Sequence, residues 1–261
     1  KRRLIENEEL ETLVFNADQP EFIDSLSNSN AKDVFKISNR NKSADIFYEI
    51  KNCDLTGNMK FIARTPWGEF DAEAKILTEY NIFNLLASLP YFYSVGGDVP
   101  SFFQSLSSLS LPEGRLQKIN ERPIYIDYAH TPHALEQACK SLKNHENKLI
   151  LVFGAGGDRD TGKRKQMGEV ADKYADEIIV TSDNPRNEDP AKIADMIIDG
   201  ISNESKIHIE LDRSKAISRA IDKMDGTSTL LVCGKGHEKN QIIGNNKFFF
   251  SDKEEIIKCI N

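Results

Sequence analysis

The stretch Lys148-Leu149-Ile150-Leu151-Val152-Phe153-Gly154-Ala155-Gly156-Gly157-Asp158 joins a short apolar run to a set of glycines. Five consecutive aliphatic and aromatic residues closed by glycine read as a strand that ends in a turn. Four further runs have similar length: Pro123 to Asp127, Glu177 to Thr181, Lys206 to Ile209 and Thr229 to Cys233. Helix-length segments separate them, and one of these opens with the cap and first-turn pair Asp189-Pro190. Strands alternating with helices predict a parallel sheet with right-handed crossovers, the doubly wound, Rossmann-like α/β class. In that class ligands bind beyond the carboxyl ends of the strands.

Those ends are where the sequence places its polar clusters. Asp127-Tyr128-Ala129-His130-Thr131-Pro132 follows the first run, and Gly154 through Lys163-Arg164 follows the second. Thr181-Ser182-Asp183-Asn184-Pro185-Arg186 follows the third, and Gly234-Lys235-Gly236-His237-Glu238 the fifth. A glycine loop before a helix is able to cradle an anion through its N–H groups. Here the details match neither common motif. A dinucleotide fingerprint needs glycine where Arg159 stands, and a P-loop needs Ser or Thr where Arg164 stands. The loop is therefore expected to attract a phosphate or carboxylate through Arg159, Lys163 and Arg164. Asn184-Pro185 is a common turn, with Arg186 then a solvated side chain; as a fork, Arg186 would instead read a carboxylate. Glu238 suits an ammonium, and Arg186 with Glu238 would read a zwitterion. His237 fits equally well as a capping or packing histidine.

Upstream the pattern is less regular. Strand-like runs occur at Leu13 to Phe15, Asp33 to Ile37, Ile46 to Ile50 and Phe61 to Ala63, the last before the turn Pro66-Trp67-Gly68. Helices are expected over Glu79 to Tyr93 and Pro100 to Leu109, and Pro112-Glu113-Gly114 reads as a linker.

Composition narrows the partner. The 261 residues are 39% hydrophobic and 29% charged, enough for one large or two ordinary cores. A net charge of -7 argues against nucleic acid as the principal partner, and no run approaches the roughly 20 apolar residues of a membrane helix. The four cysteines form no CxxC pair, which suits a reducing cytoplasm. A small molecule is the expected ligand.

In their order and spacing, Asp127-Tyr128-Ala129-His130-Thr131-Pro132, Gly156-Gly157-Asp158-Arg159-Asp160, Asp183-Asn184-Pro185-Arg186 and Gly234-Lys235-Gly236-His237-Glu238 resemble the Mur ligase family. Asn81-Ile82-Phe83-Asn84 is similar to the Asn-x-x-Asn helix of its central ATPase domain, and Asn16-Ala17-Asp18 to a strand end there. Departures are Thr78, where a glycine often precedes that helix, and Leu116-Gln117, where Met-Glu is usual.

The resemblance implies residues 1–115 as the later part of the ATP-binding domain and 116–261 as the amino-acid-binding domain. It implies ATP and Mg2+ as cofactors and an acyl phosphate formed on the D-Glu of UDP-MurNAc-L-Ala-D-Glu. It places Asn81, Asn84, Arg115, Asp127, Tyr128 and His130 along the nucleotide, with His130 near the chemistry. Arg159, Asp183, Asn184, Arg186, Gly234 and Glu238 would hold the amino acid, and the Asp-Asn-Pro-Arg variant implies meso-diaminopimelate or an isostere such as lanthionine. Lys1 would match the family's carbamylated lysine. No P-loop is present, so the resemblance implies that the UMP-binding domain and the first half of the ATPase domain lie outside this sequence, leaving a fragment inactive alone. A cytoplasmic monomer without membrane or nucleic-acid partners is expected. The alternatives are a non-catalytic binding fragment and a superfamily relative of folylpolyglutamate or cyanophycin synthetase type.

Overall fold

The computed structural model describes residues 5–19, 29–53, 58–76, 78–109, 112–144 and 146–261. The chain divides into two compact units, Lys1–Leu111 and Pro112–Asn261.

In the first unit, β1 (Thr12–Asn16), β2 (Asp33–Ser38) and β3 (Ile46–Cys53) run parallel, and β4 (Asn58–Thr65) and β5 (Gly68–Lys75) add an antiparallel meander, giving the order β1-β2-β3-β4-β5. The Pro66-Trp67 turn joins β4 to β5. Sequence reading did not find β5, whose alternation rests on Phe70, Ala72 and Ala74 between acidic residues. Two small alanines make a faint apolar stripe. Helix α1 (Glu79–Ser94) buries Ile82, Leu86 and Leu89 in one core with Ile37, Phe61 and Ala63 of the sheet. That i, i+4, i+7 spacing is one helical face. Helix α2 (Val99–Ser105) is capped by Asp98, which accepts from the Ser101 N–H at 3.0 Å, and tightens into a 3-10 turn over Leu106–Ser108.

The second unit contains a six-stranded sheet in the order β10-β9-β8-β11-β7-β6. Its parallel members are β7 (Ile124–Asp127), β8 (Lys148–Phe153), β9 (Glu177–Val180), β10 (Ile207–Ile209) and β11 (Ser228–Cys233). Strand β6 (Gln117–Lys118) is an antiparallel edge. Ile150, Val152, Leu230 and Val232 pack with Ala216 and Ile217 of α6 (Arg213–Asp222) and Ile256 of α7 (Asp252–Ile260). The alternate residues Leu149, Leu151 and Phe153 are equally buried. They face the other side, where α3 (Pro132–Leu142), α4 (Gly162–Tyr174) and α5 (Pro190–Ile198) pack in a row. Burial on both faces explains why these strands read as unbroken apolar runs. A two-stranded hairpin, β12 (Asn240–Ile243) and β13 (Asn246–Phe249), leaves this sheet and forms a parallel bridge from Ile243 to Arg186.

Candidate functional site

The loops after β7, β8, β9 and β11 gather at the carboxyl edge of the second sheet. Hydrogen bonds join them: Gly157 N donates to Asn184 O at 2.9 Å, Gly234 N to Asp127 O at 3.1 Å, and Lys163 Nζ to His130 O at 2.9 Å. The glycines admit this approach. A Cβ on Gly154 would lie 2.0 Å from Thr181 O, and one on Gly157 would lie 1.9 Å from Pro185 O.

The expectation of an anion loop built from Arg159, Lys163 and Arg164 is corrected at Arg164. Arg164 is fully buried, its NH1 and NH2 each 2.8 Å from a Glu188 oxygen and NH2 also 3.2 Å from Gly156 O. A guanidinium with no solvent must be paired, and this one pins the loop from inside. Arg159 remains exposed. Burial pulls the Lys163 ammonium below its ordinary value, with Asp183 opposing.

At the heart of the edge lies Asn184, itself buried. Its Nδ2 donates to Glu238 Oε2 at 2.9 Å, and its Oδ1 accepts from Lys235 Nζ at 3.2 Å and from Ile242 N at 2.9 Å. Lys235 Nζ also donates to Glu238 Oε2 at 3.3 Å and Asn240 O at 2.6 Å. Glu238 Oε1 is 3.5 Å from the Tyr128 hydroxyl, the outer limit of a hydrogen bond. Asp183 is 6% exposed, and among the described residues its carboxylate accepts no hydrogen bond. Gly234, at φ +113°, leaves room for it, since a Cβ there would lie 2.3 Å from Asp183 Oδ2.

Arg186 adopts φ +50°, a left-handed conformation rare for a side chain of this size. Two backbone bonds to the hairpin hold it, Arg186 N to Ile242 O at 3.1 Å and Gly244 N to Arg186 O at 2.7 Å. Its NH1 donates to Gly157 O at 2.7 Å and lies 3.4 Å from Asn184 O. NH2 and Nε make no hydrogen bond among the described residues. The geometry thus presents acceptors at Asp183 and Glu238 and donors at Arg186, with Asn184 touching both sets.

Toward β7, the Arg115 guanidinium stands 5.1 Å over the Tyr128 ring, whose centroid lies 4.7 Å from His130 and 5.1 Å from His237. His130 Nδ1 donates to Tyr128 O at 2.8 Å. Asp127 is buried, and its two oxygens accept from the N–H groups of Leu116 and Ala129 at 2.8 Å each. Burial raises its carboxyl above the ordinary value, against the pull of those bonds and of Arg115. Its carboxylate is therefore engaged in shaping the loop.

In the first unit, Asn81 and Asn84 lie on α1. Asn81 is buried with no partner for Nδ2 among the described residues, as is Oγ1 of the N-cap Thr78, while Asn84 is exposed. Lys1 lies outside the described residues. Among them no group of three or more His, Cys, Asp or Glu is placed to hold a metal ion, and no helix is long and apolar enough to cross a membrane.

Sequence reading gave Lys235 no role and overlooked the hairpin that supplies Ile242 N and Asn240 O. The Gly244-Asn245 pair between two short runs was an available turn signal. Arg213 and Asp252, a buried pair beneath the site, left no motif.

The chain belongs to the Mur ligase family. Residues 1–91 match the Mur ligase middle domain and residues 114–236 the Mur ligase glutamate ligase domain. Within the family, it is 39% identical over 254 residues to a UDP-N-acetylmuramoyl-L-alanyl-D-glutamate--2,6-diaminopimelate ligase of Rickettsia montanensis, covering 95% of this chain and 52% of that protein. The Haemophilus influenzae protein of the same name is 35% identical over 267 residues, covering 97% of this chain and 53% of the relative. The chain thus spans about half the length of these curated relatives. A solved structure of such a ligase superposes with a TM-score of 0.61 at 32% identity, covering 99% of this chain and 55% of that one. The folylpolyglutamate synthase of Mycobacterium tuberculosis reaches 0.68 at 19% identity over 85% of this chain and 52% of its own, which shows a shared fold.

Proposed function

We propose that this chain forms part of an ATP-dependent, amide-bond-forming ligase that adds meso-diaminopimelate to the D-Glu of UDP-MurNAc-L-Ala-D-Glu in peptidoglycan precursor synthesis. In this reading ATP phosphorylates the D-glutamyl carboxylate, and the amine of the diamino acid displaces phosphate from the acyl phosphate. Charge neutralisation around the transferring group dominates such chemistry.

The observation that supports it is the pairing at one edge of the acceptors Asp183 and Glu238 with a guanidinium, Arg186, whose NH2 and Nε have no partner among the described residues. That set complements an ammonium and a carboxylate on one carbon. Arg159 is assigned to a carboxylate of the ligand and Gly234 to close backbone approach. Arg115, Tyr128 and His130 are assigned to the nucleotide, with Asp127 holding their loop. Asn81 and the exposed Asn84 of α1 are assigned to the adenine. Mg2+ is assigned as the companion of ATP, and no residue of this chain is assigned to it. A cytoplasmic, monomeric enzyme completes the proposal.

The test is ADP release by the full-length protein. It is expected only when UDP-MurNAc-L-Ala-D-Glu and meso-diaminopimelate are both present, with lysine a poor replacement. ADP release indifferent to the diamino acid would overturn the reading.

A further inference from the structure

The ammonium of Lys235 is 0% exposed, and the proposed chemistry gives it nothing to do. It lies within reach of three acceptors, Asn240 O, Asn184 Oδ1 and Glu238 Oε2, and an ammonium has three hydrogens and no lone pair. The set matches the charged form. A buried charge is tolerated only when paired: Asp183 acts on this one through space, and the carboxylate in contact with it is Glu238, itself a proposed ligand contact.

Two consequences follow from that geometry. Lys235 fixes the Asn184 amide, because Oδ1 must face the two donors Lys235 Nζ and Ile242 N, which turns Nδ2 toward Glu238. Lys235 also sets the charge balance. Asp183 feels the ammonium of Lys163 from the neighbouring loop, whereas the cation in contact with Glu238 is Lys235. Lys163, held by the His130 carbonyl, and exposed Arg159 make no contact with Glu238 among the described residues.

We propose that Lys235 is a specificity-determining residue: its ammonium neutralises Glu238 inside the protein, so that the site accepts a net-neutral ammonium and carboxylate pair and disfavours an ammonium alone. Were Glu238 unneutralised, its carboxylate would present a full negative charge to the ligand and would favour the bare ammonium of a lysine side chain. The ligand class is thus a diamino acid with a carboxylate on its distal amine-bearing carbon. This inference rests on the proposed amino-acid site and deepens it.

The experiment compares kcat/KM for meso-diaminopimelate and for lysine in the full-length protein with saturating ATP. Lys235→Met keeps the length of the side chain and removes its charge. One unbalanced charge within contact distance is expected to lower the diaminopimelate-to-lysine preference by about tenfold or more, with the KM for ATP moving less than about twofold. Lys235→Met with Glu238→Gln removes both charges and is expected to bring the preference back to within about threefold of wild type, although both KM values stay raised. A purely packing role predicts that the double variant is no better than the single one. Should Lys235→Met not fold, Glu238→Gln alone reads the same balance from the other side and should raise the preference for diaminopimelate. A preference unchanged within about threefold in the variants that fold overturns the inference. A wild-type protein that uses no diaminopimelate overturns instead the reading on which it rests.

Discussion

The Arg213 guanidinium meets the Asp252 carboxylate through Nε to Oδ1 at 2.7 Å and NH2 to Oδ2 at 2.8 Å, with both side chains fully buried. The same guanidinium donates to Cys233 O at 2.9 Å and to Ser182 O at 3.3 Å. Those two residues directly precede Gly234 and Asp183. One buried pair thus ties together the end of β11 and the loop after β9, from which the proposed ligand contacts project.

Breaking this pair from one side should be costly, because it strands a buried charge. Asp252→Ala is expected to lower stability by about 3–5 kcal/mol, whereas Arg213→Met with Asp252→Leu should cost less than that single change. Urea unfolding followed by circular dichroism decides it, and a double variant weaker than Asp252→Ala would contradict the account.

Gly154→Ala and Gly157→Ala each place a methyl about 2 Å from a backbone oxygen, which has no rotamer to escape into. Each is expected to destabilise by about 1–3 kcal/mol, as overpacking does. A methyl on Gly226 would meet nothing within 4 Å, so Gly226→Ala serves as the neutral control in the same denaturation series.

For the proposed ligand contact, Arg186→Ala should raise the KM for meso-diaminopimelate by roughly 30-fold or more, since losing a charge-assisted forked contact costs about 2–4 kcal/mol. The KM for ATP should hold. Arg186→Lys should recover little, because an ammonium lacks the planar fork. Steady-state kinetics showing less than a threefold rise would return Arg186 to the role of a turn residue.

Acid should expose the clamp beneath the glycine loop. Hydrogen bonds from Arg164 hold the Glu188 carboxyl down to about 2, from an ordinary value of 4.5. A depressed acid contributes stability that is complete above the unfolded value and is lost as pH falls toward the folded one. The stability advantage of wild type over Glu188→Gln should therefore be full at neutral pH, shrink below about 4.5 and vanish near 2. Denaturation at stepped pH reads this, and an advantage that grows on acidification would reverse the assignment.

Thiol accessibility offers a check on the second core. Burial pushes the Cys139 thiol up to about 12, and Cys233 is raised by the same cause, whereas Cys53 and Cys259 are exposed. A chromogenic disulfide at mildly alkaline pH is expected to modify Cys53 and Cys259 quickly, and Cys139 and Cys233 only on unfolding. Rapid loss of all four thiols would place the core strands wrongly.

What was legible in the sequence follows from burial. Lys148 to Phe153 and Thr229 to Cys233 lie inside a parallel sheet covered on both faces, so nearly every residue is apolar and the runs stand out. β5 and the hairpin are antiparallel and half exposed, and their signal dissolves into alternating Glu, Ala, Asn and Lys. At the site, the motif residues announced themselves by type. The use of Arg164 did not, because an arginine aimed at solvent and one aimed inward have the same letter. Only the position of Glu188, 24 residues downstream, decides between them.

Strand β12 meets the proposed site mainly through its main chain: Asn240 O accepts from Lys235, Ile242 N donates to Asn184, and Ile242 O accepts from Arg186 N, while the Gln241 side chain adds one bond, Nε2 to Asp183 O at 2.8 Å. Meanwhile Ile243, Phe248 and Phe249 turn large parts of their side chains outward. The segment is consequently lenient about spelling, Gln241 excepted, and strict about counting. Apart from Gln241, side chains along the hairpin are free to drift, because none of them makes those three main-chain bonds. Inserting or deleting a single residue between Glu238 and Ile242 would slide all three out of register at once.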